Sequence, residues 1–376
     1  MAETAARDRQ NNFSILRLFF ASLVIVSHSP VLIDGDRSRE ILTRIFGTLT
    51  AGDVAVDGFF LISGYLIVES FLRTPAIGLY LRKRFARIFP GYAVAFLLCA
   101  LGIATFVGGA NMWSASGILH LLTQMATLLP PKVAGVFQGL PQPSLNASLW
   151  TIRFEFECYL AVAALGLAGC LRPRVWPALA ATAAVLLAVN VAGAVEGGHQ
   201  VHEPLLPSLA KNTRFFMIFA AGAMYYLFRD RIKLCGTGAI AAAISLIGAM
   251  FFWHWAEAAV AVFGGYLIFW FAFQCPPINL GRLTRSEDIS YGVYLYGWPA
   301  QTLIVWNFRA IDPWLLSVFA LAIAAVLGYA SWMLVEKPIM RRAQPRPSVA
   351  SARRSTDSAG NPESVSLREP AGTGTR

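Results

Sequence analysis

Charge is the scarcest ingredient of this sequence: Asp, Glu, Lys and Arg make up 14% of it, against roughly 25% in a soluble domain. By length alone 376 residues could form two soluble domains, but so little charge beside 56% hydrophobic residues excludes that and points to lipid. The net charge of +10 does not point to nucleic acid, because the basic residues sit in short clusters between apolar runs. No CxxC spacing occurs among Cys99, Cys158, Cys170, Cys235 and Cys275, which excludes a disulfide framework or zinc site and assigns them to packing. There is no repeat of fixed period and no inverted pair of interrupted helices, which counts against a carrier. No small-residue cleavage site marks the first apolar run, Ile15 to Ile33, so it is expected to stay as the first membrane helix.

What is present is a series of apolar runs, each about as long as the roughly 20 residues that cross a bilayer. Ten emerge, at about 14–33, 53–72, 88–108, 149–170, 175–195, 209–228, 236–253, 256–275, 289–308 and 313–335. The expected fold is therefore all-α and polytopic. Lys and Arg concentrate in cytoplasmic loops. With the N-terminus inside, the inner segments hold Arg7 and Arg9, then Arg73, Arg82, Lys83, Arg84 and Arg87, and later Arg172, Arg174, Arg229, Arg231, Lys233, Arg282, Arg285, Lys337, Arg341 and Arg342. The outer loops hold Arg37, Arg39, Arg44, Lys132, Lys211, Arg214 and Arg309. Both termini are thus expected in the cytoplasm, with a membrane domain over 1–342 and a Ser-, Pro- and Gly-rich disordered tail over 343–376. The long outer connection 109–148 is expected to carry function or to cover something, with Ile118 to Leu129 re-entrant or along the interface.

Ionisable groups within membrane helices are costly and mark function. Arg17 and His28 stand eleven residues apart on the first run, within about 20° of one face and about 16 Å apart along the axis. Arg17 falls near the cytoplasmic surface and His28 in the outer half. Asp57, near the outer end of the second run, is placed either to orient His28 or to pair with a basic residue. Arg153, Glu155 and Glu157 open the fourth run. Residues two apart point about 200° apart, so one glutamate faces the interior and the other a neighbouring helix or the interface. Arg84 and Arg87, three apart and so on one face, form a basic mouth suited to phosphate. His199 and His202 read as solvated, since no further ligand set accompanies them.

In combination these features resemble the acyltransferase 3 family of membrane proteins. Arg17 and His28 match its Arg-x10-His, Val56 to Ile67 its second-helix motif, and Arg84-x-x-Arg87 its Arg-x-x-Arg. Ser148 to Tyr159 is similar to its Ser-Leu-Trp segment ending in Glu155, and Ile289 to Pro299 and Glu336 to Ile339 to its last two helices. Many members carry a His before the Trp-Pro pair where this sequence has Gly297, so no role for that His carries over. No esterase-like second domain is expected after the last helix.

The resemblance implies transfer of an acyl group, usually acetyl, from cytoplasmic acyl-CoA to a carbohydrate hydroxyl at the outer face of a bacterial inner membrane, without a metal. Arg17, Arg84 and Arg87 are then expected to hold CoA phosphates, with His28 the general base or a transient acyl carrier. Asp57 or Glu155 is expected to fix its tautomer, Glu155 first because it matches the family motif. Ser148, Trp150 and Tyr291 are candidate oxyanion stabilisers. O-antigen, exopolysaccharide, a lipid-linked oligosaccharide, peptidoglycan and an antibiotic sugar are the candidate acceptors, read by the cavity and the loops 109–148 and 196–214. Two other classes compete: a proton-coupled transporter using His28, Asp57 and Glu155 as a relay, and a structural subunit of an envelope complex whose charges lock helices together.

Overall fold

The structure, a computed structural model, describes residues 11–73, 76–110, 112–182, 184–185, 188, 207–278 and 288–343, the side chains of 207–213 excepted. Every regular element among the described residues is helical. The principal helices are α1 (Phe13–Asp34), the short α2 (Ile41–Phe46), α3 (Ala51–Arg73), α4 (Ile77–Phe106), α5 (Ala115–Ala126) and α6 (Trp150–Leu167). Next come α7 (Pro207–Leu227), α8 (Gly236–Met250), α9 (Trp253–Gln274), α10 (Ser290–Asn307) and α11 (Pro313–Ala343). Five of these, α1, α3, α4, α9 and α11, are long and apolar enough to cross a membrane, while α8 and the Arg214–Leu227 part of α7 are shorter apolar helices. The expected run at 175–195 falls largely outside the described residues, as do His199, His202 and everything beyond Ala343.

Local chemistry sets the helix ends. Gly35 and Gly47 take left-handed conformations and donate their N–H groups to Val31 and Thr43, closing α1 and α2. A reciprocal box opens α3: the Asp53 N–H donates to Thr50 Oγ1 at 3.0 Å and the Thr50 N–H to Asp53 Oδ2 at 3.1 Å. Glu40, 1% exposed, ties this corner together by accepting from the Ser27 hydroxyl (3.1 Å) and from the N–H groups of Thr43 (3.0 Å) and Ala51 (2.9 Å). The basic cluster expected to precede the third run instead lies within it, because α4 begins at Ile77 and continues unbroken through Arg82, Lys83, Arg84 and Arg87. Helices α4, α9 and α11 each contain a wide turn with i→i+5 bonding, at Leu98–Ile103, Val260–Gly264 and Trp332–Glu336.

Helix α3 packs against α1 and α7, and α10 lies between α1 and α11. Small residues permit the closest approach: a Cβ on Gly64 would sit 2.1 Å from the Phe219 carbonyl oxygen, and one on Gly222 2.1 Å from that of Leu61. A backbone atom cannot rotate away, so Gly64→Ala forces α3 and α7 apart. A loss of about 1–3 kcal/mol is expected from such overpacking, read as a lower melting temperature of the purified protein in detergent. Helix α11 is peripheral and turns Val318, Val326 and Leu334 outward, at 61%, 69% and 77% exposure.

Part of the 109–148 connection does act as a cover. It docks on α10 and its C-terminal extension, with Trp298 Nε1 donating to the Ser144 carbonyl (3.0 Å), Asn146 Nδ2 to that of Leu295 (2.8 Å) and Arg309 to that of Gly139 (2.8 Å). Its middle forms α5, capped by Ser114, with Leu119 and Leu122 exposed. Packing accounts for Cys99 and Cys158, which are buried; Cys235 is exposed, because it lies just before α8 rather than inside it.

Candidate active site

A cavity of about 540 Å³ runs through the bundle. On α3 its wall is one helical face, Val56, Phe59, Ser63, Leu66, Ile67 and Ser70; the fourteen residues from first to last rise about 21 Å. The opposite walls carry Thr151, Ile152, Glu155 and Tyr159 of α6, Tyr291 and Tyr294 of α10, and Trp332 of α11. One end is basic, where Arg17 of α1 meets Lys83, Arg84 and Arg87 of α4. The structure thus brings together four expected site residues, Arg17, Arg84, Arg87 and Glu155.

The cations there are not equivalent. Arg17 and Arg87 converge on one oxygen of Asp288, Arg87 at 2.7 Å, while the other oxygen accepts the Ser290 N–H at the start of α10. Burial raises the Asp288 carboxyl, yet Arg87 and Arg17 hold it well below the usual carboxylate range, so it stays ionised. The Arg87 guanidinium also lies 5.7 Å from each of the Tyr291 and Trp332 ring centres. Arg84 has no carboxylate: it stands 6.0 and 5.8 Å from the Tyr80 and Tyr159 rings and makes one long contact, 3.5 Å, to the Ser70 hydroxyl.

Glu155 faces the middle of the cavity and accepts from the hydroxyls of Ser63 (3.1 Å) and Tyr159. Glu157 turns away to pair with Arg153 at 2.8 Å, as opposite faces require. His28 is not in the cavity wall. It lies edge-on to Trp298, with ring centres 5.0 Å apart, on the same stripe of α1 as Arg17. The Gly52 N–H donates to the neighbouring Ser27 hydroxyl at 2.9 Å, so His28 stands about one helical turn, roughly 6 Å, beyond the level of Val56.

The structure does not bring Asp57 to His28. Asp57, fully buried, accepts two bonds from Arg214 of α7, at 3.0 and 3.1 Å, because a buried carboxylate takes the cation within reach. Arg214, counted by sequence with the outer loops, is in fact the centre of an ion cluster that also takes in Asp53 (3.6 Å) and Glu257 (3.3 Å). Glu155 likewise has no hydrogen bond to His28 among the described contacts. The charges that act on His28 are Asp53 and, with opposite sign, Arg37. Sequence reasoning passed over Asp53 because a first-turn acid reads as a cap, and over Asp288, whose one signal was its position before a buried helix.

The oxyanion candidates divide similarly. Tyr291 lines the cavity, but its hydroxyl donates to the Ile88 carbonyl at 2.8 Å. Trp150 packs on Phe154 and Phe215 outside the cavity wall, and the Ser148 carbonyl accepts the Tyr294 hydroxyl at 2.9 Å. At Gly297 a Cβ would lie 2.6 Å from Ile25 Cγ1, so the α1–α10 contact leaves no room for the larger residue many relatives carry.

The family model described as an acyltransferase domain matches residues 10–333. "Nodulation protein 10" of Rhizobium leguminosarum bv. viciae is 28% identical over 370 residues, covering 88% of this chain and 94% of that protein. The "O-acetyl transferase" of Shigella phage Sf6 is 26% identical over 355 residues, covering 91% and 99% respectively. "Acyltransferase MdmB" of Streptomyces mycarofaciens is 27% identical over 130 residues, covering 32% of this chain and 30% of its own. No solved structure matches. With its motifs in order along helices of membrane-spanning length, the chain belongs to the acyltransferase 3 family.

Proposed function

We propose that this chain is an O-acyltransferase that moves an acyl group, acetyl in the first instance, from cytoplasmic acyl-CoA to a carbohydrate hydroxyl at the outer side of a bacterial inner membrane. The observation that carries this reading is the long cavity with cations gathered at one end and His28 just past the other. Similarity to a phage O-acetyl transferase over nearly the full length supports it, and so does the bias of Lys and Arg to one set of loops, which favours ten spans with both termini inside.

In this reading Arg84, assisted by Lys83, Arg17 and Arg87, holds the donor's phosphates, and the cavity guides the thioester toward His28. Neutral His28 accepts the proton of the acceptor hydroxyl as that oxygen attacks the thioester carbonyl; the CoA thiolate then leaves and takes the proton from the imidazolium. Asp53 stabilises the imidazolium through space, a role the sequence reading gave to Glu155 or Asp57. Glu155, held by Ser63 and Tyr159, serves the middle of the cavity, and Asp57 fixes Arg214.

The test uses protein purified in lipid and given radiolabelled acetyl-CoA. Wild type is expected to bind and consume the thioester, and Arg84→Ala to bind it about 10- to 100-fold more weakly, the range of a charge-assisted hydrogen bond. If wild type neither binds nor consumes acyl-CoA, the reading falls and a proton-coupled carrier takes its place.

A further inference from the structure

Buried hydrogen-bond donors are nearly always paired, so one that is not calls for a physical account. Among the described residues three side-chain nitrogens are buried without a hydrogen-bond acceptor, those of Arg84 Nε, Arg214 Nε and Trp332 Nε1. Arg214 is surrounded by carboxylates. The other two belong to the wall of the cavity.

Trp332 is the more informative of the pair. It is 6% exposed, its ring packs against the Arg87 guanidinium, and it opens the wide turn Trp332–Glu336. An N–H in that setting has neither bulk water nor a protein oxygen. Nor is it an extra cation duplicating the phosphate contacts: Arg17 and Arg87 already supply charge, and Asp288 answers it. What the indole N–H lacks is an uncharged or charged oxygen acceptor presented from the cavity.

We propose that Trp332 is a binding residue for the acyl donor, its Nε1–H donating to an acceptor oxygen of acyl-CoA, supplied by an amide carbonyl of the pantetheine arm or by a phosphate. The assignment rests on the acyl-CoA reading above. It adds a contact from α11, so that the donor is held between α4 and the last membrane helix.

Equilibrium binding to purified Trp332→Phe and Trp332→His decides it, with two probes: CoA, and adenosine 3′,5′-bisphosphate, which has phosphates but no pantetheine arm. The Phe variant keeps an aromatic ring over Arg87 and removes the N–H; CoA affinity is expected to fall about tenfold, the loss for one hydrogen bond. The His variant, which keeps a ring N–H, is expected to recover part of it. Loss for CoA alone assigns the oxygen to the arm, and loss for both probes assigns it to a phosphate. Both replacements are smaller than Trp, so each is also scored by the CoA-induced rise in melting temperature, which a packing defect alone leaves in place. Wild-type affinity in the Phe variant, or equal losses in Phe and His, overturns the proposal. Wild type failing to bind CoA overturns the acyl-CoA reading, and this one with it.

Discussion

Replacing His28 with alanine is expected to lower acetyl transfer by about 10²- to 10⁴-fold, the usual contribution of a general base, while acetyl-CoA binding stays close to that of wild type. The split follows from position. His28 is absent from the cavity wall and stands about three helical turns from Arg17 along α1, so it has no part in holding phosphate. Single-turnover transfer and equilibrium binding, measured on the same preparation, separate the two effects. Should His28→Ala weaken donor binding as much as Arg84→Ala does, the histidine belongs to the donor site and its assignment as base is wrong.

The second large effect is structural. Arg214→Ala leaves Asp57 fully buried without its partner and takes the cation from Asp53 and Glu257. Removing one member of a buried ion pair costs about 3–5 kcal/mol, a large share of a domain's whole stability. Folded yield and melting temperature in detergent are both expected to drop sharply. The double variant Arg214→Ala with Asp57→Asn is expected to recover much of the loss, because the amide carries no charge to strand. A melting temperature for Arg214→Ala equal to wild type would show that the cluster carries no such weight. The same residue is why α7 cannot be understood alone: its partners Asp53 and Asp57 come from the outer half of α3, 157 residues away in the case of Asp57.

That separation marks what could be read in the sequence. The apolar runs locate α1, α3, α6, α7, α8, α9, α10 and α11 to within a few residues, because each must carry its own apolar length. The family motifs identify Arg17, Arg84, Arg87 and Glu155, and the fold gathers those four around one cavity. Pairings were less legible. Arg17 and Arg87 reach Asp288 across 271 and 201 residues, and no local pattern on α1 or α4 announces it. Asp57 looked available to His28 because both lie near the outer ends of adjacent helices, yet helix rotation turns it toward Arg214. Rotation about an axis is set by packing on both sides of a helix, and one sequence run carries only half of that information.

The wide turn in α11 has a mechanical consequence. A turn closed by i→i+5 bonds houses a residue that an α-helical turn does not, and every residue rotates the remainder of the helix by about 100°. Deleting one residue from Trp332–Glu336 would therefore act like slipping a tooth on a gear. The terminal turn would swing through roughly a quarter-circle, drawing Glu336 off its seat against Gly91 and carrying the Ala343 carbonyl away from Arg82 Nε, which donates to it at 3.0 Å. At this point the chain is set by its count of residues as much as by their kind, since the count alone determines the azimuth at which α11 meets α4.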